Sequence, residues 1–271
     1  AHTLRWFTTP RARYLPLKKK LQNITNKLIP VITILMLVGI WELISISKTV
    51  PGYMLPAPTK VVLAFVEDFS LLMEHLKVTL FEAALGLVFG ILLGVITAIL
   101  VDNFTLIRKG IYPLIIISQT IPTVAIAPLL VLWFGYGILP KIILIILVTF
   151  FPIAIGLIGG FSAVDKDMII LMKSMGANKL EIFYHVKFPA ALGEFFSGLK
   201  IAVAYSVVGA VISEWLGGFS GLGVYMTRVK KSYSYDKMFA VILLISGISL
   251  LLMWITKLVQ KRCMPWEKEK E

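Results

Sequence analysis

Four stretches of this chain, residues 83–101, 111–140, 142–164 and 238–256, are long enough to cross a lipid bilayer and carry no charge at all. Two more, 28–47 and 195–213, carry one charge each, Glu42 and Lys200. A helix rising about 1.5 Å per residue covers some 30 Å of hydrocarbon in about 20 residues. Lipid offers the backbone no hydrogen-bond partners, so such runs must be helical. The fold class that follows is all-α and integral to the membrane, with six transmembrane helices. Composition agrees: 58% of residues are hydrophobic and 15% charged, against about 25% charged in a soluble domain. The formal charge of +12 would suggest nucleic acid for a soluble chain. Here the cations sit between apolar runs and read as topology signals at an anionic lipid surface, so no nucleic-acid partner is expected. The single cysteine, Cys263, permits no internal disulfide and has no His or Cys beside it to share a metal.

The runs divide the chain. Residues 1–27 form a basic tail and 28–47 the first span, too long for a signal-peptide core and without a small-residue cleavage site after it. Residues 48–71 make a loop holding an amphipathic helix, since Val62, Phe65, Val66, Phe69, Leu72, Met73 and Leu76 repeat at helical spacing. Residues 72–259 form the core, and 260–271 a charged tail. Six spans place both termini on one side. With that side cytoplasmic, eighteen of the 27 Lys and Arg fall inside and eight outside, the direction of the positive-inside rule. Arg228, Lys230 and Lys231 run against it, and would suit a partner on the outer face.

Small residues recur every four positions at Gly86, Gly90 and Gly94, at Gly156 and Gly160, and at Ala202, Ser206 and Ala210. Helices in lipid associate by close packing, so these mark helix contacts in a compact bundle. Proline interrupts the third span at Pro113, Pro122 and Pro128, and the fourth at Pro152. Gln119, Thr120 and Thr123 collect around Pro122. Irregular backbone at depth must face protein or water, so Gln119, Thr120 and Pro122 are candidate pathway residues. Ser206 and Ser213 join them from the fifth span, with Glu214 as a gate candidate. Glu42 and Glu82, near span ends, are expected to snorkel to the interface.

The connection 165–192 reads as a short helix over 168–175, a break at Gly176 and a second helix over 180–186, with Pro189 punctuating the entry to the fifth span. Such a helix-turn-helix beside the membrane suits docking into a groove of another protein. At these residues the chain resembles the permeases of binding-protein-dependent ABC importers, whose "EAA loop" reads Glu-Ala-Ala, three residues, Gly, nine residues, Ile-x-Leu-Pro. Gly176 and Val186-Lys187-Phe188-Pro189 keep the spacing, while Ile170-Leu171-Met172 replaces Glu-Ala-Ala. Residues 214–224 are similar to the subfamily serving nitrate, sulfonate, taurine and thiamine-pyrimidine uptake.

The resemblance implies a type I importer permease whose coupling loop contains Met172, Ser174, Gly176, Ala177, Lys179, Glu181, Ile182, Phe183 and Pro189. It implies cytoplasmic ABC ATPase subunits, an extracytoplasmic solute-binding protein and a second permease copy as partners, in a bacterial inner membrane. The substrate class it suggests is a small organic anion or a thiamine-precursor pyrimidine. No G-x-x-x-x-G-K-[ST] loop occurs in the sequence, so this chain is expected to be no enzyme and to bind no cofactor, with ATP held by a partner. An ion-coupled secondary transporter would need acidic or histidine relays near the midplane, and His2, His75 and His185 are scattered. A purely structural membrane protein would not need the broken third span or the docking loop.

Overall fold

The computed structural model describes residues 11–47 and 49–266, with side chains from residue 28 onward. Residues 1–10 of the expected basic tail and 267–271 of the C-terminal tail lie outside the described residues. The chain forms two compact units, residues 1–63 and 64–271.

The first unit contains α1 (Arg11–Ile46) and ends within α2 (Pro58–Glu67). The apolar part of α1, Leu28–Ile46, is long enough to span a membrane. Its end is fastened to the following turn: Trp41 Nε1 donates to the Pro56 carbonyl at 3.0 Å, and Ser45 Oγ to the Leu55 carbonyl at 2.8 Å. Glu42 accepts from the backbone N–H and hydroxyl of Thr59.

The second unit is built on α3 (Phe69–Asn103), α6 (Ile138–Ser162) and α9 (Phe188–Leu216), joined by α4 (Thr105–Ser118), α5 (Thr123–Phe134), α10 (Leu222–Lys231) and α11 (Tyr235–Cys263). Small residues bring the three central helices together as the sequence led us to expect. A Cβ on Gly94 would lie 2.8 Å from Ile153 of α6, one on Gly156 2.8 Å from the Glu194 carbonyl of α9, and one on Gly160 2.8 Å from Ala191. Ala202, Ser206 and Ala210 are buried. The amphipathic repeat over 62–76 is not one helix. It is divided at Asp68, so Leu72, Met73 and Leu76 open α3.

Four helices of this unit cross the membrane outright, and the third of the six spans is a broken one. α4 and α5 meet at 99°; at 14 and 12 residues each covers only about 20 Å, less than the hydrocarbon thickness. Pro122 stands at the break in an extended conformation, φ −62° and ψ 115°, and has no N–H to continue α4. Backbone turns close the break, Thr120 N–H donating to Ile117 and Ile121 N–H to Ser118, and hydroxyls add to them, Thr120 Oγ1 donating to Ile117 and Ser118 Oγ to Ile115. The uncharged run 111–140 thus holds most of two half-helices and the start of α6.

The bundle has two distinct ends. At one, Arg108 reaches Ser162, and the connection 165–187 follows α6. At the other lie the start of α3, the short α10 and the start of α11.

Candidate functional site

A cavity of about 670 Å³ runs between the α4–α5 break, α6 and α9. Its lining on α9 recurs at Glu194, Ser197, Ile201, Tyr205, Val208 and Ile212, one face of the helix at steps of three and four residues. From first to last this covers about 27 Å of helix, close to the full hydrocarbon thickness. It is therefore a lengthwise groove rather than a local pocket. Gln119, Thr120 and Pro122, singled out from the sequence, all line it, with Thr123 beside them. Glu194 and Tyr205 are exposed on the groove face, and a charged or polar group there needs water or another protein surface rather than lipid; exposed Ser197 donates back to the Gly193 carbonyl at 2.9 Å. Among the described residues no Lys or Arg lines the groove, and Glu194 is the one charged group there.

Ser206 and Ser213 do not belong to it. Both are buried and turn back on their own helix, donating to the carbonyls of Val203 and Ala210. Glu214 also faces elsewhere, towards the start of α10. That helix begins after Gly221, whose φ of +120° favours glycine. The first N–H groups of a helix have no partner inside it, and here three are capped by other helices. Gly221 N–H donates to His75 Nδ1 at 3.0 Å, Leu222 N–H to Thr79 Oγ1 at 2.8 Å, and Gly223 N–H to Glu214 Oε2 at 2.6 Å. Thr79 Oγ1 in turn donates to Glu214 Oε1 at 2.7 Å. Carboxylate placed on a helix N-terminus is also favoured by the helix dipole. Two elements, α3 and α9, thereby hold α10 in place.

Beside this cap Glu82 does not snorkel as expected. It is buried and pairs with Lys141 at 2.6 Å. Further out, Asp68 accepts from Tyr225 and pairs with Lys237 at 2.8 Å. Burial alone would raise the Asp68 carboxyl, but the bonds from Lys237 and Tyr225 outweigh it and hold the carboxyl below its usual range. The Tyr225 hydroxyl is pushed up by its burial and by the Asp68 carboxylate.

The connection 165–187 forms at the other end. α7 (Lys166–Ser174) is capped by Asp165, whose side chain accepts from Asp167 N–H at 2.9 Å. Gly176 reverses the chain with φ +87°. α8 (Lys179–Ile182) then starts with a reciprocal capping box between Asn178 and Glu181. A π-turn, Phe183–Lys187, joins α8 directly to α9, its wider bonding shown by Phe188 N–H donating to the Phe183 carbonyl. Pro189 sits in the first turn of α9, where its missing N–H is harmless. Ile182 is buried and Phe183 stacks near Phe161 and Phe188. Met172 and Ala177 are half-buried, while Ser174, Lys179 and Glu181 are exposed. This segment shows a run of exposed apolar side chains, Met168, Ile170, Leu171, Met175, Leu180 and Tyr184.

Residues 90–264 match the family model of the binding-protein-dependent transport system inner membrane component. The chain belongs to that family of transport permeases. Among its relatives, the formylaminopyrimidine transport permease protein ThiX of Halalkalibacterium halodurans is 36% identical over 241 residues, covering 89% of this chain and 96% of the relative. A probable ABC transporter permease protein of Haemophilus influenzae is 38% identical over 223 residues, 82% of this chain and 91% of the other. The taurine transport system permease protein TauC of Escherichia coli is 28% identical over 244 residues, 88% and 89% of the two. Among solved structures, the methionine ABC transporter MetNI in an inward-facing conformation shares 19% identity at a TM-score of 0.61, covering 72% of this chain and 97% of that one. An amino acid ABC transporter gives the same TM-score at 18% identity, covering 74% and 97%. The fold is thus that of a type I importer permease, a multi-pass subunit of an ATP-driven importer.

Several residues that organise this permease carry no sequence signal of their own. Thr79 looks like an ordinary span residue, and His75 like an isolated histidine, until the fold sets α10 against α3. Glu194 and Lys187 were visible as charges near a span, but only the paired helices show what each faces.

Proposed function

We propose that this permease imports an uncharged or weakly cationic small heterocycle, of the formylaminopyrimidine type, along the α9 groove. In this reading the 165–187 end is cytoplasmic, both termini with it, and a separate ATPase docks there. The observation that carries the docking is the exposed apolar run Met168, Leu171, Met175 and Leu180 on a segment that otherwise bears Lys166, Asp167, Lys173 and Lys179. Apolar side chains held in water on a capped helix-turn-helix fit the groove of a partner. Where the family pattern has Glu-Ala-Ala, Ile170 and Leu171 are both exposed, so this contact is apolar rather than acidic.

The substrate reading rests on the groove. Gln119, Thr120, Thr123, Ser197 and Tyr205 offer neutral hydrogen bonds, and Glu194 the only charge. Lacking a cation, the lining is a poor match for the small organic anion that the sequence left open. A groove open along one side, with polar groups exposed, also suits a second copy of the chain closing it as a homodimer. An extracytoplasmic solute-binding protein would deliver substrate at the α10 end, where Arg228, Lys230 and Lys231 are exposed. The test is co-purification with the ATPase subunit. Wild type should retain it, and Leu171→Glu with Met175→Glu should release it without loss of thermal stability. Retention by the double variant would refute the docking face.

A further inference from the structure

We propose that Lys187 and Asp102 form the joint through which movement of the 165–187 segment reaches α3, and that α3 carries it across the bundle to the capped start of α10. This rests on the reading that the segment docks an ATPase.

The geometry has three parts. First, Lys187 Nζ lies 2.8 Å from Asp102 Oδ1 and 2.7 Å from Oδ2, so one ammonium spans both carboxylate oxygens. Both side chains are largely shielded, at 23% and 11% exposure. It is the one ion pair among the described residues at this end of the bundle; the other two, Glu82–Lys141 and Asp68–Lys237, lie at the α10 end. Second, Lys187 is the last residue of the π-turn. π-turns are rare insertions in a helix, frequent at functional sites, and helices bend at them. The segment therefore has a hinge at the residue that grips α3. Third, α3 is suited to carry a displacement. It is 35 residues long and contains no proline, whereas α4 and α5 each contain one and α6 contains two. Its Gly86, Gly90 and Gly94 seat it on Ile145, Thr149 and Ile153 of α6, so the two helices move together. Thr79, about 35 Å along the helix from Asp102, and His75 hold the N–H groups of Leu222 and Gly221. A push at Lys187 and the hold on α10 thus act on one continuous rod, a physical connection rather than mere proximity.

The experiment uses the permease with its ATPase and binding protein in proteoliposomes. Cys263→Ser removes the native thiol, and Ser220→Cys reports exposure beside the α10 cap. Lys187→Ala should still bind the ATPase and hydrolyse ATP, but uptake per ATP should fall about tenfold, and ATP should no longer change labelling of the reporter. Lys187→Arg should behave as wild type. The swap Asp102→Lys with Lys187→Asp should restore much of the ratio lost in either single variant. Unchanged uptake per ATP in Lys187→Ala would overturn the joint. So would loss of ATPase binding in that variant, which would make Lys187 a docking residue, or a swap no better than the single variants. A wild type that recruits no ATPase overturns the docking reading, and the joint with it.

Discussion

Glu214 shows how a single carboxylate takes on a role its sequence position does not declare. At the end of the fifth span it reads as a gate in the pathway. In the fold it caps Gly223 and receives the Thr79 hydroxyl. Leaving a buried N–H without an acceptor costs about 1–3 kcal/mol. Glu214→Ala should therefore lower the thermal stability of the purified permease markedly, and Glu214→Gln, which keeps an acceptor, much less; equal losses would contradict the cap. Asp68 offers a second residue-scale check. Its carboxyl is held below the usual carboxylate range despite burial. A lowered folded-state pKa means that the link is intact above that range and is lost only as pH falls through the lowered value. Protease cleavage within 216–237 should stay slow at mildly acidic pH and rise only below the ordinary carboxylate range, and Asp68→Asn should abolish that step.

At the scale of elements, the spans were legible because lipid imposes a strong rule: every crossing segment must satisfy its own backbone and present apolar side chains. The glycine steps in α3 and α6 announced packing faces for the same reason. What was not legible was where helices stop being straight. The uncharged run 111–140 hid a 99° bend, since Pro122 tells that a helix breaks but not which way the next begins. Nor does the sequence announce that a π-turn carries the chain through Phe183–Lys187 into α9, with Pro189 in its first turn. Glu82 and Lys141, on α3 and α6, each resemble interfacial charges when read alone. Their burial as a pair predicts that Lys141→Met, which strands Glu82, destabilises by about 3–5 kcal/mol. Adding Glu82→Leu should recover most of that loss in thermal unfolding, and no recovery would show that the pair does not act as a unit.

The whole molecule joins a lengthwise groove to an end that exposes apolar side chains and to an opposite end tied down by tertiary caps. The groove face of α9 was half visible in the sequence, through Gln119, Thr120 and Pro122, because broken backbone at depth needs polar company. The α9 side of it, Glu194 to Ile212, escaped notice because its helical stripe has meaning only once α6 stands opposite. The central claim, ATP-driven import through this permease, is tested most directly by uptake of formylaminopyrimidine into proteoliposomes holding the permease and ATPase, with loaded binding protein outside and ATP within. Uptake should require ATP and persist when ionophores collapse the proton and sodium gradients. Uptake that proceeds without ATP and vanishes with the ionophores would contradict the account and point to an ion-coupled carrier.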